Sequence, residues 1–224
     1  SGFNRVAGVD ANFQFGFLTL DGYAAWTDSP QEAEPGTGEN FTARAGFNYN
    51  SRTWQVRGHY NAIGERFNDE MGFVPRQGVD NMLVWVGHVF RPSWLTRFGI
   101  RETRPHLQID AFTRRDGQGL ESRYEDWHLP FNFNDGGFLE IGINPNVEEV
   151  RTPFTINNAR DVDVNPGRYE FNEYFLFYNS SNARTFSVNT QYRTGPFYAG
   201  YRRNLSFGPA LRLHPVEPLH KAPV

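Results

Sequence analysis

The chain has 224 residues, a formal net charge of −3 and no cysteine. The lack of cysteine excludes disulfides, thiolate metal sites and a cysteine nucleophile, and the charge balance provides no basic field for nucleic acid. Hydrophobic residues make up 38% of the chain, and no run approaches the roughly 20 apolar residues that a membrane helix needs. Phe, Tyr and Trp together reach 16%, and aromatic residues favour β-strands.

Alternation of apolar and polar residues is the dominant pattern from the start of the chain. Residues two apart share one face of a strand but not of a helix, so this period predicts β-structure. Strands are predicted over 9–15, 18–26, 41–49, 54–60, 81–91, 106–111, 127–133, 139–143, 168–179, 186–193 and from about 197. The predicted fold class is therefore all-β, an antiparallel up-and-down meander of roughly 11–12 strands.

The connections between these segments fit hairpins. Asp116-Gly117 and Asp135-Gly136 predict tight turns, because such turns need positive φ, which Gly and Asp tolerate. Residues 28–40, 64–80 and 151–167 predict longer loops. We assign residues 1–208 to one β-domain and the proline-rich residues 209–224 to an irregular tail, and we expect the chain to be a mature piece of a longer protein.

The strand pattern favours an outer-membrane-type β-barrel or a fragment of one. Several segments are about 9–12 residues long, as tilted membrane strands are, whereas soluble strands average about 5–6. Polar faces carry residues suited to a wet lumen, and aromatic residues stand near segment ends: Trp26, Tyr49, Trp54, Tyr60, Trp127 and Tyr192. The low mean hydropathy leaves a soluble sandwich or curved sheet as the alternative.

An incomplete barrel has two strand edges whose N–H and C=O groups lack partners. Closure would pair the first strand, around 6–15, with the last, around 197–207, and we favour closure. Otherwise, the aromatic faces of 41–49 and 169–178 are expected to lie against another subunit.

Residues 4–12 (NRVAGVDAN), 62–76 (AIGERFNDEMGFVPR) and 167–173 (GRYEFNE) carry a family resemblance. They resemble the C-terminal barrel of a family of bacterial envelope proteins in which a carbohydrate-binding, family-9-like domain precedes the barrel. The resemblance implies an outer-membrane or periplasmic location, with membrane lipid or a larger envelope complex as partner and carbohydrate bound through the missing domain. This chain departs from the family in lacking that domain and many barrel strands.

The functional interpretation is a non-enzymatic envelope module that acts as a channel or scaffold. A structural accessory subunit of a larger membrane complex is the alternative, and a membrane-associated hydrolase is the second alternative. No catalytic motif supports an enzyme, because no G-x-S-x-G elbow and no phosphate-binding glycine loop occurs. We predict no catalytic residues and no cofactor.

Metal binding is also not predicted. The six histidines lie on separate segments without metal-ligand spacing and are interpreted as lumen or surface residues. Asp161-Val162-Asp163 is the best calcium candidate, but it lacks the glycine and distal glutamate of an EF-hand, and a plain acidic loop is favoured.

One loop stands out as a candidate plug or partner contact. Its candidate residues are Asn68, Asp69, Glu70, Phe73 and Arg76. Phe73 would be an apolar anchor and Arg76 would pair with a carboxylate. The structural alternative, which is favoured, is a loop that folds back over a strand edge, with Gly72 and Pro75 setting its turns.

Overall fold

The computed structural model describes residues 3–28, 39–70, 72, 74, 76–157 and 162–212. The structure is all-β, with 71% of the residues in strands, and its main element is a 12-stranded antiparallel sheet. The predicted fold class is therefore confirmed at the level of an all-β antiparallel meander. Among the described residues, no helix is long and apolar enough to cross a membrane.

The strands follow one another along the chain, and most connections are hairpins. Their bounds are β1 (Arg5–Phe15), β2 (Leu18–Asp28), β3 (Phe41–Asn50), β4 (Trp54–Ile63), β5 (Val79–His88), β6 (Ile100–Thr103), β7 (His106–Arg114), β8 (Gly119–Phe133), β9 (Phe138–Val150), β10 (Phe154–Asn157), β11 (Val162–Val164), β12 (Gly167–Asn179), β13 (Phe186–Phe197) and β14 (Gly200–Leu211).

The order across the sheet is β1-β2-β3-β4-β5-β7-β8-β9-β12-β13-β14. Two insertions interrupt this meander. Between β5 and β7, a short 3₁₀ helix (Ser93–Phe98) leads into β6, which pairs with the end of β8. Between β9 and β12, β10 and β11 form a separate two-stranded hairpin. The sequence pattern predicts neither insertion.

Strand register separates the side chains into two faces. Cross-strand partners share a face, and the register joins Phe13 to Leu20 and Leu20 to Phe47. Equivalent pairs link the remaining strands through to β14, for example Leu129 with Ile141. The predicted common face of Phe13, Phe47, Val56, Leu129, Ile141 and Val188 is confirmed, and Asn12, Asn48, Arg57, His128 and Asn189 lie on the opposite face. We call these the apolar face and the polar face.

The tight turns form where the sequence predicts them. Gly117 and Gly136 have φ values of 80° and 88°, in the left-handed region that glycine adopts without strain. In the second turn, the backbone N–H of Gly137 donates to Asp135 at 2.9 Å. This bond and the neighbouring Arg184 guanidinium hold the pKa of Asp135 below its usual value, because both stabilise the ionised carboxylate.

The sheet does not close on itself. Within the described residues, β1 pairs only with β2, and β14 pairs only with β13. The expected pairing of the first strand with the last is therefore wrong, and two strand edges have no neighbouring strand among the described residues. The last strand also runs to Leu211, beyond the boundary predicted at 208.

No second large sheet covers the apolar face in the described part of the chain. A soluble sandwich needs such a sheet, because its core forms between two inner faces. Instead, large apolar side chains remain open on this face; Phe13 is 56% exposed, Trp127 is 55% and Leu205 is 67%. The architecture is a single layer with one apolar face uncovered.

Candidate functional site

The polar face carries a network of side chains that joins neighbouring strands. His59 on β4 lies 2.8 Å from the Asn81 side-chain oxygen on β5, and the Asn81 amide donates to Asp110 on β7 at 2.6 Å. Farther along the sheet, Arg193 on β13 pairs with Glu173 on β12 at 2.7 Å. Buried and half-buried polar groups need hydrogen-bond partners, and on this face they find them in side chains of neighbouring strands.

A row of rings crosses the middle of the polar face, and we call it the aromatic row. It consists of Trp85, His106, His128 and Phe175. Successive ring centroids lie 5.3, 5.2 and 5.1 Å apart. A guanidinium covers each end, with Arg57 5.0 Å from the Trp85 ring and Arg193 4.7 Å from the Phe175 ring. Both distances lie within the range of cation–π attraction.

Gly142 makes the central stack possible. The register aligns His128, Gly142 and Phe175 across β8, β9 and β12, so the residue between the two rings has no side chain. His128 leans over this gap and stacks on Phe175 with an interplanar angle of 11°. A Cβ atom at position 142 would meet the His128 Cδ2 atom at 2.2 Å.

We therefore expect Gly142→Ala to displace the His128 ring and to lower the free energy of unfolding by about 1–3 kcal/mol, the usual effect of overpacking. Gly208→Ala is the matched control, because its Cβ would meet its nearest atom, the Asn189 carbonyl oxygen, at 4.0 Å. Urea unfolding in detergent measures both. Equal effects of the two variants would contradict this account of Gly142.

Carboxylates surround the histidines of the aromatic row. Glu140 Oε1 lies 3.1 Å from His128 Nδ1 and 3.8 Å from His106 Nε2. On the other side of the His128 ring, Nε2 lies 3.0 Å from the Asn144 amide nitrogen and 3.7 Å from Asp126 Oδ1. Together, His106, His128 and Glu140 present three ligand atoms within 4.8 Å of one another.

The predicted plug loop lies at the end of the sheet where β4 ends and β5 begins. The backbone N–H of Asn68 donates to the Thr27 hydroxyl at 3.3 Å, and its carbonyl accepts from Asn4 at 2.8 Å. Arg76 donates to Ser122 at 2.7 Å and to Glu121 at 3.3 Å. The loop is thus held by β2 on one side and by β8 on the other.

The other predicted loop residues differ in their placement. Glu70 is exposed, and Asp69 is half-buried, with its carbonyl accepting from the Gly72 N–H at 3.1 Å. Arg76 contacts a carboxylate, as its predicted role requires, and also lies 4.2 Å from the Phe112 ring. Phe73 lies outside the described residues. The loop contacts Asn4, Thr27, Phe112, Glu121 and Ser122, and these residues are not members of the aromatic row.

The sequence analysis did not predict that His106 and His128 lie side by side on adjacent strands. Alternation alone puts both on the polar face, and the register then pairs them directly across β7 and β8. In the Asp161-Val162-Asp163 segment, for which the sequence favours a plain acidic loop, Asp161 lies outside the described residues, and Asp163 accepts a hydrogen bond from Thr155 at 2.7 Å. In the described chain, the histidine side chains hydrogen-bond to Asn, Glu and a backbone carbonyl rather than to a serine or threonine hydroxyl.

Comparisons with family models, with curated proteins and with solved structures find no match for this chain. The function is therefore argued from the geometry of the two faces.

Proposed function

We propose that this chain is a non-enzymatic envelope β-sheet module of the outer-membrane barrel type, whose apolar face contacts lipid and whose polar face lines water. One observation carries the proposal: every strand of the meander from β1 to β14 places an exposed large apolar side chain on this face, and no sheet covers the face in the described chain. Exposed apolar surface on this scale marks a membrane or protein contact. Closed barrels with lipid outside and a polar lumen show the same alternation.

The height of the apolar band supports lipid contact. On β1, the residues on this face are apolar or small from Ala7 to Phe15. Eight residue steps of about 3.4 Å, tilted by about 40°, cover roughly 21 Å along the membrane normal. The apolar band of outer-membrane barrels is about 25 Å tall, so the two heights agree.

Exposed aromatic residues lie toward both ends of this band. At the end with the β1–β2 and β3–β4 turns stand Phe17, Tyr49, Trp54, Trp94 and Phe98, and toward the other end stand Trp26, Tyr60 and Tyr201. Amphipathic rings occupy the two membrane interfaces in this way. On this proposal, Trp26, Tyr49, Trp54 and Tyr60 of the predicted set belong to interfacial girdles, whereas Tyr192 lies opposite Leu205, near the middle of β14.

The alternative function, an accessory subunit of a larger membrane complex, is favoured by the open edges. All of β1 is exposed, and its outer edge has no partner in the described residues. Bare backbone groups are costly in lipid because no water is there to bond them. Pairing with strands of a partner would satisfy both edges, and a carbohydrate-binding domain in that assembly remains part of the proposal.

Tryptophan fluorescence tests the proposed orientation. Trp26, Trp54, Trp94 and Trp127 are about half exposed, at 49%, 48%, 55% and 55%, whereas Trp85 lies in the aromatic row on the polar face. Bromine atoms on the acyl chains quench tryptophans that contact lipid. In vesicles of brominated lipid, we therefore expect the fluorescence of the four exposed tryptophans to be quenched and that of Trp85 to be retained.

The Trp85→Phe variant should therefore lose most of the unquenched emission, and Trp127→Phe should lose quenched emission. Strong emission that brominated lipid leaves unchanged in both variants would contradict lipid contact. Recovery of a monodisperse chain without detergent or partner would contradict it as well.

A further inference from the structure

We propose that His106, His128 and Glu140 form a binding site for a divalent first-row transition metal ion. The three residues come from β7, β8 and β9, which are adjacent strands of the sheet. The inference rests on their geometry and does not depend on which face of the sheet meets lipid.

The distances between the ligand atoms suit a single ion. A tetrahedral zinc site with metal–ligand bonds of about 2.0–2.1 Å places its ligand atoms roughly 3.3 Å apart. Glu140 Oε1 lies 3.1 Å from His128 Nδ1 and 3.8 Å from His106 Nε2, which brackets that value. Small side-chain rotations would bring all three atoms into the first coordination shell. Water or another ligand would fill the fourth position.

Each histidine has a partner for the ring nitrogen that would not bind the metal. His106 Nδ1 lies 3.2 Å from the Arg104 carbonyl oxygen. When Nδ1 donates its proton to this oxygen, the lone pair of Nε2 is free to bind a metal. His128 Nε2 lies 3.7 Å from the Asp126 carboxylate. Metal-binding histidines regularly donate their second N–H to a carbonyl or a carboxylate, which orients the ring.

The charge balance of the cluster leaves room for a cation. The buried carboxylates Glu102, Glu125 and Glu173 each pair with arginine. By contrast, the ion pairs of Glu140 and Asp126 in the described chain are with His106 and His128 alone. Two carboxylates whose ion pairs in the described chain include no arginine provide negative charge that a divalent ion would neutralise.

Asn144 provides a further polar group beside the site. It is fully buried, and its Oδ1 atom has no hydrogen-bond partner within the described part of the chain. With a metal on Nδ1 of His128, the proton of that ring moves to Nε2. The Asn144 amide nitrogen also donates to Asp126 Oδ1 and to the Glu125 carbonyl, so a rotation that presents Oδ1 to the His128 N–H would break these two bonds. Two imidazoles and one carboxylate are a ligand set for Zn²⁺, Co²⁺, Ni²⁺ or Fe²⁺ rather than for Ca²⁺ or Mg²⁺.

Titration of the metal-free, untagged full chain with Co²⁺ tests the site, because bound Co²⁺ reports its ligands through visible absorption. We expect one equivalent to bind. His106→Ala, His128→Ala and Glu140→Gln should each weaken binding at least tenfold, and the isosteric Glu140→Gln variant guards against loss of folding. Asp126→Asn should weaken binding about 10–100-fold with little change in the spectrum, because it positions His128 without touching the ion.

Two controls localise the binding. His59→Ala removes a histidine of the same face that lies outside the cluster, and His214→Ala combined with His220→Ala removes the histidines of the tail. Both should keep wild-type affinity. The proposal is overturned if the wild-type chain binds no Co²⁺ or Zn²⁺ more tightly than the Glu140→Gln variant, or if only the tail variant loses binding.

Discussion

Replacing Leu205 with arginine is expected to lower the free energy of folding into a phosphatidylcholine bilayer by about 2–4 kcal/mol, the effect of an arginine at the lipid-facing midplane. Leu205 is 67% exposed on the apolar face near the middle of β14. On the proposed orientation, that exposed surface is in contact with acyl chains. An arginine there must keep its charge in hydrocarbon or distort the bilayer to reach water.

Ser206→Arg is the matched control, because Ser206 is the next residue on the same strand and points to the polar face opposite Gln191. Its charge would remain in water, and we expect a change within about 0.5 kcal/mol. Urea titration of both variants in vesicles gives the two values. Similar losses at both positions would show that the faces do not differ in environment.

Glu173→Ala is expected to lower the free energy of unfolding by about 2–3 kcal/mol, because it removes a buried carboxylate that pairs with two partly exposed arginines. The Glu173 side chain is 6% exposed and contacts the guanidinium groups of Arg193, at 2.7 Å, and of Arg202. Without the carboxylate, two positive charges face each other with no anion between them. Urea unfolding in detergent measures the loss.

Glu170→Ala provides the comparison on the same strand. Glu170 pairs with Arg168 at 2.8 Å, but both side chains are more than half exposed, at 62% and 53%. Solvent screens such a pair, so we expect a loss below about 1 kcal/mol. The double variant Glu173→Leu with Arg202→Leu should recover part of the stability. A Glu173→Ala loss no greater than that of Glu170→Ala would rule out a structural role for the buried cluster.

Much of the fold follows from local patterns. Alternation from Val9 to Phe15 and from Phe41 to Tyr49 predicts both the strands and their faces, because side chains on a strand repeat every two residues. The glycines of the Asp-Gly turns, at 117 and 136, need only their own backbone freedom. These features depend only on residues close together in the sequence, so a single sequence suffices to predict them.

The candidate site depends on register, which the pattern does not reveal. In the β7–β8 hairpin, Thr113 pairs with Leu120 but Phe112 pairs with Ser122, so Glu121 is an extra residue in a bulge. Without this bulge, the ladder would set His106 opposite position 127 rather than His128. A shift of one residue reverses every face. The bulge also frees Glu121 to bind Arg76.

The edges are the other feature that local pattern cannot predict. Whether β1 meets β14 depends on the curvature summed over every strand between them, and each strand pair contributes a variable twist. The exposed strands at both ends show an open sheet where closure was expected. What covers these edges is a property of the assembly rather than of any segment.

Lipid contact on one face is the central claim, and nitroxide scanning of β14 tests it most directly. The chain has no cysteine, so single cysteines at each position from 203 to 208 can be spin-labelled in turn. In lipid vesicles, we predict that accessibility to oxygen peaks at 205 and 207, and that accessibility to a water-soluble nickel complex peaks at 204 and 206. If the nickel complex reached positions 205 and 207 as readily as positions 204 and 206, lipid contact on the apolar face would be contradicted.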